Sequence, residues 1–178
     1  MNRLLISIAS VGLATTAFAH PGHHFNLKSA KTVTVKSVPS ASSKGTVSAD
    51  KRSLTFSAKA IRLVVSTGPS NDMMSFRIQG LRNPKLVIPK GATLKVLFVN
   101  SDDDMLHSFR FSDSQPPFAA KPTLKNAAGS HDLSHRSEKA LHGEELVISG
   151  PTESGTFSYV CTVTGHAAAG MFGTVVVH

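Results

Sequence analysis

Apolar residues recur at every second position through most of the chain beyond residue 50, the spacing that turns alternate side chains to one face of a β-strand. Phe157, Tyr159 and Cys161 follow this spacing, so Cys161 points to the same side as the two aromatic rings. Glycine, proline or asparagine separates most of the apolar runs, as expected for strands joined by turns. No segment shows sustained helical periodicity. The pattern therefore predicts an all-β fold, a sandwich or a barrel.

Two segments break this alternation. Residues 20–44 are rich in His, Ser and Lys and alternate weakly at 32–35, which predicts an extended arm with one edge strand. Residues 112–143 predict one long irregular loop, with a short helical turn near 137–141; loops this long are usually functional or mobile. Strands are predicted at 54–58, 61–67, 74–79, 85–88, 93–100, 107–111, 145–149, 156–161 and 173–178.

The first nineteen residues have the pattern of a secretory signal peptide. A basic residue at Arg3 precedes an apolar run, and Ala17-Phe18-Ala19 provides a small-x-small cleavage site. The apolar run is shorter than the roughly 20 residues that a membrane span requires. We therefore predict a signal peptide at 1–19, a folded domain at 45–178, and a periplasmic location; an uncleaved amino-terminal anchor is the alternative.

A single cysteine in an exported protein needs an explanation. Exported proteins usually pair their cysteines, and Cys161 has no second cysteine in the chain to pair with. A buried apolar thiol or an intermolecular bridge would be the simplest interpretation. The neighbouring residues suggest a third, because His166 and Met171 follow Cys161 at equal intervals in a C-x4-H-x4-M motif.

This motif has the chemistry of a copper site. A soft thiolate and thioether beside an imidazole suit copper better than zinc, calcium or magnesium. His107 is the candidate for the fourth ligand, because the period of two places it with Phe109 and Phe111 on the core side of its strand, where an imidazole needs a partner. Two histidines, one cysteine and a weak axial methionine form the ligand set of blue-copper electron-transfer sites.

The residues from about Gly45 to the carboxy terminus resemble the cupredoxins, the type 1 blue copper proteins. The resemblance depends most on the run from Tyr159 to Val176. It also includes Asn83-Pro84, Leu86, Ile88-Pro89, Gly91-Ala92-Thr93, Phe98, Asn100, His107-Ser108-Phe109 and Pro116-Pro117-Phe118.

The resemblance implies a Greek-key β-sandwich that binds one copper ion. By it, His107, Cys161 and His166 would be equatorial ligands and Met171 the axial ligand. Ser108 would help to hold the surroundings of the sulfur, and the ring edge of His166 would be the port for electrons.

A copper ion with four protein ligands has no open position for a substrate, so we expect an electron carrier and no enzymatic activity. Phe118, Phe172 and Leu106 are candidates for an apolar shell that tunes the potential. We expect a monomer that meets cytochrome or oxidase partners in weak redox encounters. The apolar docking patch would consist of Pro117, Phe118, Ala167, Ala168 and Ala169.

The net charge of +8 favours an acidic partner, or serves solubility alone. Nucleic acid is not an expected partner, because the chain is exported and lacks a basic stretch with interleaved aromatics. Asp102, Asp103 and Asp104 depart from the family, which favours uncharged residues there. Carboxylates close to the metal would stabilise Cu(II) and lower the reduction potential unless they are screened.

Three other functions are compatible with parts of the sequence. A periplasmic copper-buffering protein would use the histidines outside the motif, although solvated surface histidines are the simpler interpretation. An oxidative copper enzyme would use His20 as a new amino terminus, which leaves the C-x4-H-x4-M motif unexplained. A Cys-His hydrolase lacks a third catalytic member. The histidines that such a buffering protein would use are His20, His23, His24, His131, His135 and His142.

Overall fold

A computed structural model describes residues 22–178, and the predicted signal peptide and His20 lie outside this range. Within it the chain forms strands and turns, and no helix is long and apolar enough to cross a bilayer. The strands are β1 (Asn26–Val35), β2 (Thr46–Val47), β3 (Ser53–Thr55), β4 (Ala60–Thr67), β5 (Phe76–Ile78), β6 (Leu81–Arg82), β7 (Lys85–Ile88), β8 (Thr93–Asn100), β9 (Arg110–Ser112), β10 (Ala128–Gly129), β11 (Leu141–Ser149), β12 (Gly155–Val160) and β13 (Phe172–Val177).

The strands form two mixed sheets. One sheet has the order β1-β11-β8-β4-β5-β6 and the other has the order β10-β9-β12-β13-β7-β3-β2. Most neighbours are antiparallel, whereas β4 pairs with β8, and β7 pairs with both β3 and β13, in parallel. The prediction of an all-β sandwich is confirmed.

Aromatic rings from both sheets meet in the core. Phe76 of β5 lies 5.2 Å from the ring of Phe109 and 5.7 Å from that of Tyr159, measured between centroids. Phe98 of β8 stacks on Phe109 at 6.0 Å. The Tyr159 hydroxyl donates a hydrogen bond of 2.6 Å to the Pro84 carbonyl, which satisfies a polar group that would be costly to bury alone. The predicted inward direction of Phe109 is confirmed.

The amino-terminal arm contributes a strand longer than the predicted 32–35. β1 pairs with β11 from Asn26 to Val35, with one irregularity near Leu27. Most β1 side chains are exposed, so alternation is weak and the sequence gives little sign of the strand. The ladder of backbone hydrogen bonds with β11 holds it, and that partner is more than a hundred residues away.

The predicted helical turn near 137–141 is wrong. Ser137 and Ala140 form an antiparallel bridge around a tight turn, and Leu141 already begins β11. A single helical turn is weak by itself, whereas β11 has partners on both sides, β1 and β8. The predicted loop 112–143 is also interrupted by β10, and β11 begins four residues before the predicted strand at 145.

Candidate metal centre

The segment between β12 and β13 carries Cys161, His166 and Met171 and folds back on itself. We call this segment the ligand loop. The Cys161 amide donates to the Met171 carbonyl at 3.1 Å, and the Met171 amide donates to the His166 carbonyl at 2.9 Å. Gly165 and Gly170 have φ angles of 90° and 101°, a left-handed conformation that glycine adopts without steric cost. These turns bring residues five positions apart onto one site.

His107 reaches the same site from between β8 and β9. Its amide donates to the Leu133 carbonyl at 3.1 Å, and the Leu133 amide donates back at 2.8 Å. The long segment that precedes β11 thereby holds the backbone of His107. The predicted strand at 107–111 is shorter than expected, since β9 begins at Arg110 and His107 joins only this isolated bridge.

The four predicted ligand side chains converge in a buried pocket. His107 Nδ1 lies 3.2 Å from Met171 Sδ and 3.2 Å from His166 Nδ1, and His166 Nδ1 lies 3.5 Å from Cys161 Sγ. All four residues are buried. In the described part of the chain, His107, Cys161 and His166 form the group of His and Cys side chains that is close enough to share one metal ion.

The donor atoms fit a metal ion. Burial lowers the pKa of both His107 and His166, so that their imidazoles are neutral and each retains a lone pair. Burial raises the pKa of the Cys161 thiol, against the effect of Ser108 hydrogen bonds that lower it. A metal ion bound between these atoms would displace the thiol proton and meet two imidazole lone pairs and two sulfur atoms. Two nitrogens, a thiolate and a thioether form the donor set of a mononuclear type 1 copper site.

Ser108 contacts the cysteine sulfur, as the family resemblance implies. Its amide donates to Cys161 Sγ at 3.4 Å, and its hydroxyl oxygen accepts a hydrogen bond of 2.9 Å from the Thr162 amide. A hydrogen bond to sulfur draws electron density from the thiolate. Ser108 therefore orients the sulfur and would modify its donation to a bound metal.

Two asparagines support the site from outside the ligand set. Asn83 donates to the Gly170 carbonyl at 3.0 Å and accepts from the Phe76 amide at 2.7 Å, which ties the ligand loop to β5. Asn100 is buried and donates to three carbonyls, those of Met105, Leu133 and Ser134, at 2.8 to 3.0 Å. The sequence singled out both only through the family resemblance, because an asparagine by itself does not reveal which carbonyls it will meet.

The three neighbouring aspartates have different environments. Asp102 is buried, and its Oδ2 lies 3.1 Å from His107 Nε2. Asp103 and Asp104 are exposed. The sequence placed all three near the metal, and nothing in the pattern marked Asp102 as the buried one, because aspartate is usually exposed.

The predicted apolar shell and docking patch need two corrections. Leu106 is 46% exposed and so does not form part of a closed shell, whereas Phe118 and Phe172 pack edge to face at 5.2 Å. Ala167 is only 1% exposed, so it lies beneath the proposed patch and not on it. Pro117, Ala168 and Ala169 are exposed and Phe118 is half-buried. The Gly165 amide donates a hydrogen bond of 2.7 Å to the Ala120 carbonyl, which connects the segment that contains Pro117 and Phe118 to the ligand loop.

The histidines outside the motif are dispersed. His131 contacts Glu144 at 2.9 Å and His23 contacts Glu153 at 3.1 Å. His24 pairs with Asp113. Each of these histidines has a carboxylate of its own, and within residues 22–178 they form no shared metal-binding group.

Comparison with known proteins identifies the family. No family model matches the sequence. The chain is 35% identical over 148 residues to rusticyanin of Acidithiobacillus ferrooxidans, which covers 83% of this chain and 95% of that relative. It is 26% identical over 129 residues to sulfocyanin of Sulfolobus acidocaldarius, covering 67% of this chain and 64% of the relative.

A solved structure of rusticyanin from Thiobacillus ferrooxidans matches with a TM-score of 0.74 at 33% identity, covering 84% of this chain and 97% of the other. A structure of reduced rusticyanin also matches with a TM-score of 0.74, covering 84% of this chain and 100% of the other. Identity of about a third over nearly the full length of a relative extends the agreement well beyond the metal-binding motif. The chain therefore belongs to the rusticyanin family of cupredoxins.

Proposed function

We propose that this protein carries single electrons between redox proteins of the periplasm, using one type 1 copper ion. His107, Cys161 and His166 would be the equatorial ligands and Met171 the axial ligand. The observation that carries the proposal is the convergence of these four side chains, whose donor atoms are 3.2 to 3.5 Å from their nearest neighbours in a buried pocket.

The arrangement suits a carrier better than a catalyst. Bound copper would supply a one-electron couple between Cu(I) and Cu(II). Four protein donors fill the positions around such an ion, so none is left for a substrate. The backbone hydrogen bonds among Cys161, His166 and Met171 hold the loop in one conformation, which favours little rearrangement between oxidation states.

The surface beside His166 is the proposed place of electron transfer. The docking surface, as corrected, consists of Pro117, Phe118, Ala168 and Ala169. Small and apolar side chains permit close approach of a partner, and their limited area suits a short-lived redox encounter. We propose a monomer with cytochrome or oxidase partners, and the net charge of +8 favours an acidic partner surface.

Export to the periplasm is proposed from the signal peptide predicted at 1–19. Amino-terminal sequencing of protein recovered from the periplasmic fraction would find His20 first. A product that begins at Met1, or one retained with the membrane fraction, would contradict this part of the proposal.

The copper site is tested most directly by the Cys161→Ser variant. Copper-loaded wild-type protein should show the intense blue absorption and narrow paramagnetic-resonance splitting of a thiolate-bound Cu(II). Cys161→Ser should lose both, because a hydroxyl cannot supply the sulfur-to-copper charge transfer. Val163→Ala, in the same loop, is the matched control and should remain blue. Blue colour in Cys161→Ser would contradict the assignment.

The axial position is tested by Met171→Leu. Leucine nearly conserves the buried volume, so we expect the fold and the bound copper to be retained. The reduction potential should rise, because a weak donor to Cu(II) is lost. Voltammetry measures the reduction potential of the variant and of the wild type. An unchanged potential would contradict the assignment of Met171 as a ligand.

A further inference from the structure

A buried carboxylate contacts the back of one proposed ligand ring. Asp102 Oδ2 lies 3.1 Å from His107 Nε2, on the side of the imidazole opposite Nδ1, and both side chains are 0% exposed. Nδ1 is the atom that faces Met171 and His166. The ring of His107 therefore lies between the carboxylate and the other proposed ligands.

Backbone amides hold the carboxyl group of Asp102 in place. Its Oδ1 accepts hydrogen bonds from the amides of Asp104 and Met105, at 3.0 and 3.2 Å. With Oδ1 occupied by two amide donors, Oδ2 is the oxygen that faces His107 Nε2. A ring that donates its Nε2 proton to this oxygen keeps a free lone pair on Nδ1, the atom that faces the other proposed ligands.

The charge on Asp102 lacks a cationic partner among residues 22–178. No Lys or Arg there forms a salt bridge with Asp102, and its side-chain contact is with the ring of His107. Arg136 pairs with the exposed Asp103 at 3.3 Å instead. The carboxylate thus lies behind a ligand ring, shielded from solvent, with two backbone amides and that ring as its partners.

We propose that Asp102 is a positioning residue that fixes His107 with Nδ1 toward the copper and lowers the reduction potential. This inference rests on the proposed function. A carboxylate that accepts the outer N–H of a ligating imidazole orients the ring and raises its basicity. A more basic ligand and a nearby negative charge both favour Cu(II), the more positive state.

The test compares the midpoint potentials of Asp102→Asn and Asp103→Asn. Both variants remove one carboxylate charge from the same turn, but Asp103 is exposed and its charge is screened by solvent. We expect Asp102→Asn to change the ratio of Cu(II) to Cu(I) affinity by about tenfold or more in favour of Cu(I). For one electron, tenfold corresponds to a rise of about 59 mV. Asp103→Asn should change the ratio by less than about threefold.

A second measurement does not depend on a variant that folds. In the wild-type protein loaded with Cu(I), nitrogen-15 NMR should find a slowly exchanging proton on His107 Nε2 and none on Nδ1. A proton on Nδ1, or a rapidly exchanging Nε2 proton, would overturn the proposal even if Asp102→Asn failed to fold.

The outcomes distinguish a failure of the role of Asp102 from a failure of the electron-carrier proposal. Equal shifts in Asp102→Asn and Asp103→Asn, or a fall of potential in Asp102→Asn, would overturn the role of Asp102 and leave the electron-carrier proposal intact. A wild-type protein that binds copper without blue absorption would overturn the electron-carrier proposal, and the role of Asp102 with it.

Discussion

The two halves of the metal centre are built in opposite ways. Cys161, His166 and Met171 lie within eleven residues, and local turns and short-range backbone hydrogen bonds bring them together. His107 is 54 residues before Cys161, and its position depends on Asn100, on the strand-like contact with Leu133, and on the buried Asp102.

The difference shows how each half is held. In the contiguous half, spacing along the chain brings the side chains together, and the strands on either side provide a rigid base. In the distant half, polar contacts from two segments place the ring, the turn after β8 and the stretch before β11. The loss of one contact should therefore move His107 without unfolding the sheets. Variants that affect one half and spare the other test this comparison.

The largest loss of stability is expected for Gly173→Ala, at the base of the contiguous half. A Cβ at Gly173 would be 2.2 Å from the Tyr159 ring carbon Cζ, and Tyr159 is packed in the core. Overpacking of this kind costs about 3 kcal/mol of unfolding free energy. Denaturant unfolding followed by circular dichroism measures it. Thr174→Ala is the neighbouring control, and a loss no greater than that of the control would show that Tyr159 can move aside.

A smaller loss is expected for Asn100→Ala, in the distant half. It leaves three carbonyls without their side-chain donor, at a cost of about 1–3 kcal/mol. Copper affinity should fall as well, because Leu133 no longer holds the His107 backbone in place. Gln115→Ala, which removes an exposed amide donor, is the control for unfolding and for copper titration. Unchanged affinity in Asn100→Ala would mean that the ligand loop alone holds the metal.

The smallest effect is expected for Asp72→Asn, which loosens the hairpin of β5 and β6 beside Asn83. Hydrogen bonds from Arg82 and Ser75 lower the pKa of Asp72 below 3.8 against the opposing effect of burial. A depressed carboxyl pKa stabilises the fold above the unfolded pKa, and that stability is lost as the pH falls through the folded value.

Asp72→Asn should therefore reduce the unfolding free energy by less than about 1 kcal/mol near neutral pH, and the difference should shrink below pH 3.8. Unfolding curves for wild type and variant across this pH range give the measurement. Glu145→Gln, which neutralises an exposed carboxylate on β11, is the control. A free-energy difference between wild type and variant that increased as the pH fell would contradict the expected stabilisation by the ionised Asp72.

Much of the fold was predictable because most strands alternate or are continuously apolar. β4, β7 and β8 lie where the apolar runs predicted strands, and the predicted burial of Phe109 and Phe111 is confirmed. β1 was underestimated because its side chains are exposed on both faces and only its backbone is paired. The helical turn before β11 was wrong because a local preference gave way to pairing with distant strands.

The sequence by itself determined the identity of the donor atoms, the equal spacing of Cys161, His166 and Met171, and the inward direction of His107. These properties depend on the chemistry of side chains and on the geometry of a strand or turn, which act over a few residues. Only the tertiary structure decided that Asp102 is buried against His107, that Ala167 lies beneath the surface and that Leu106 is exposed. Burial depends on which distant segments pack against a residue, and the local spacing of residues does not specify those segments.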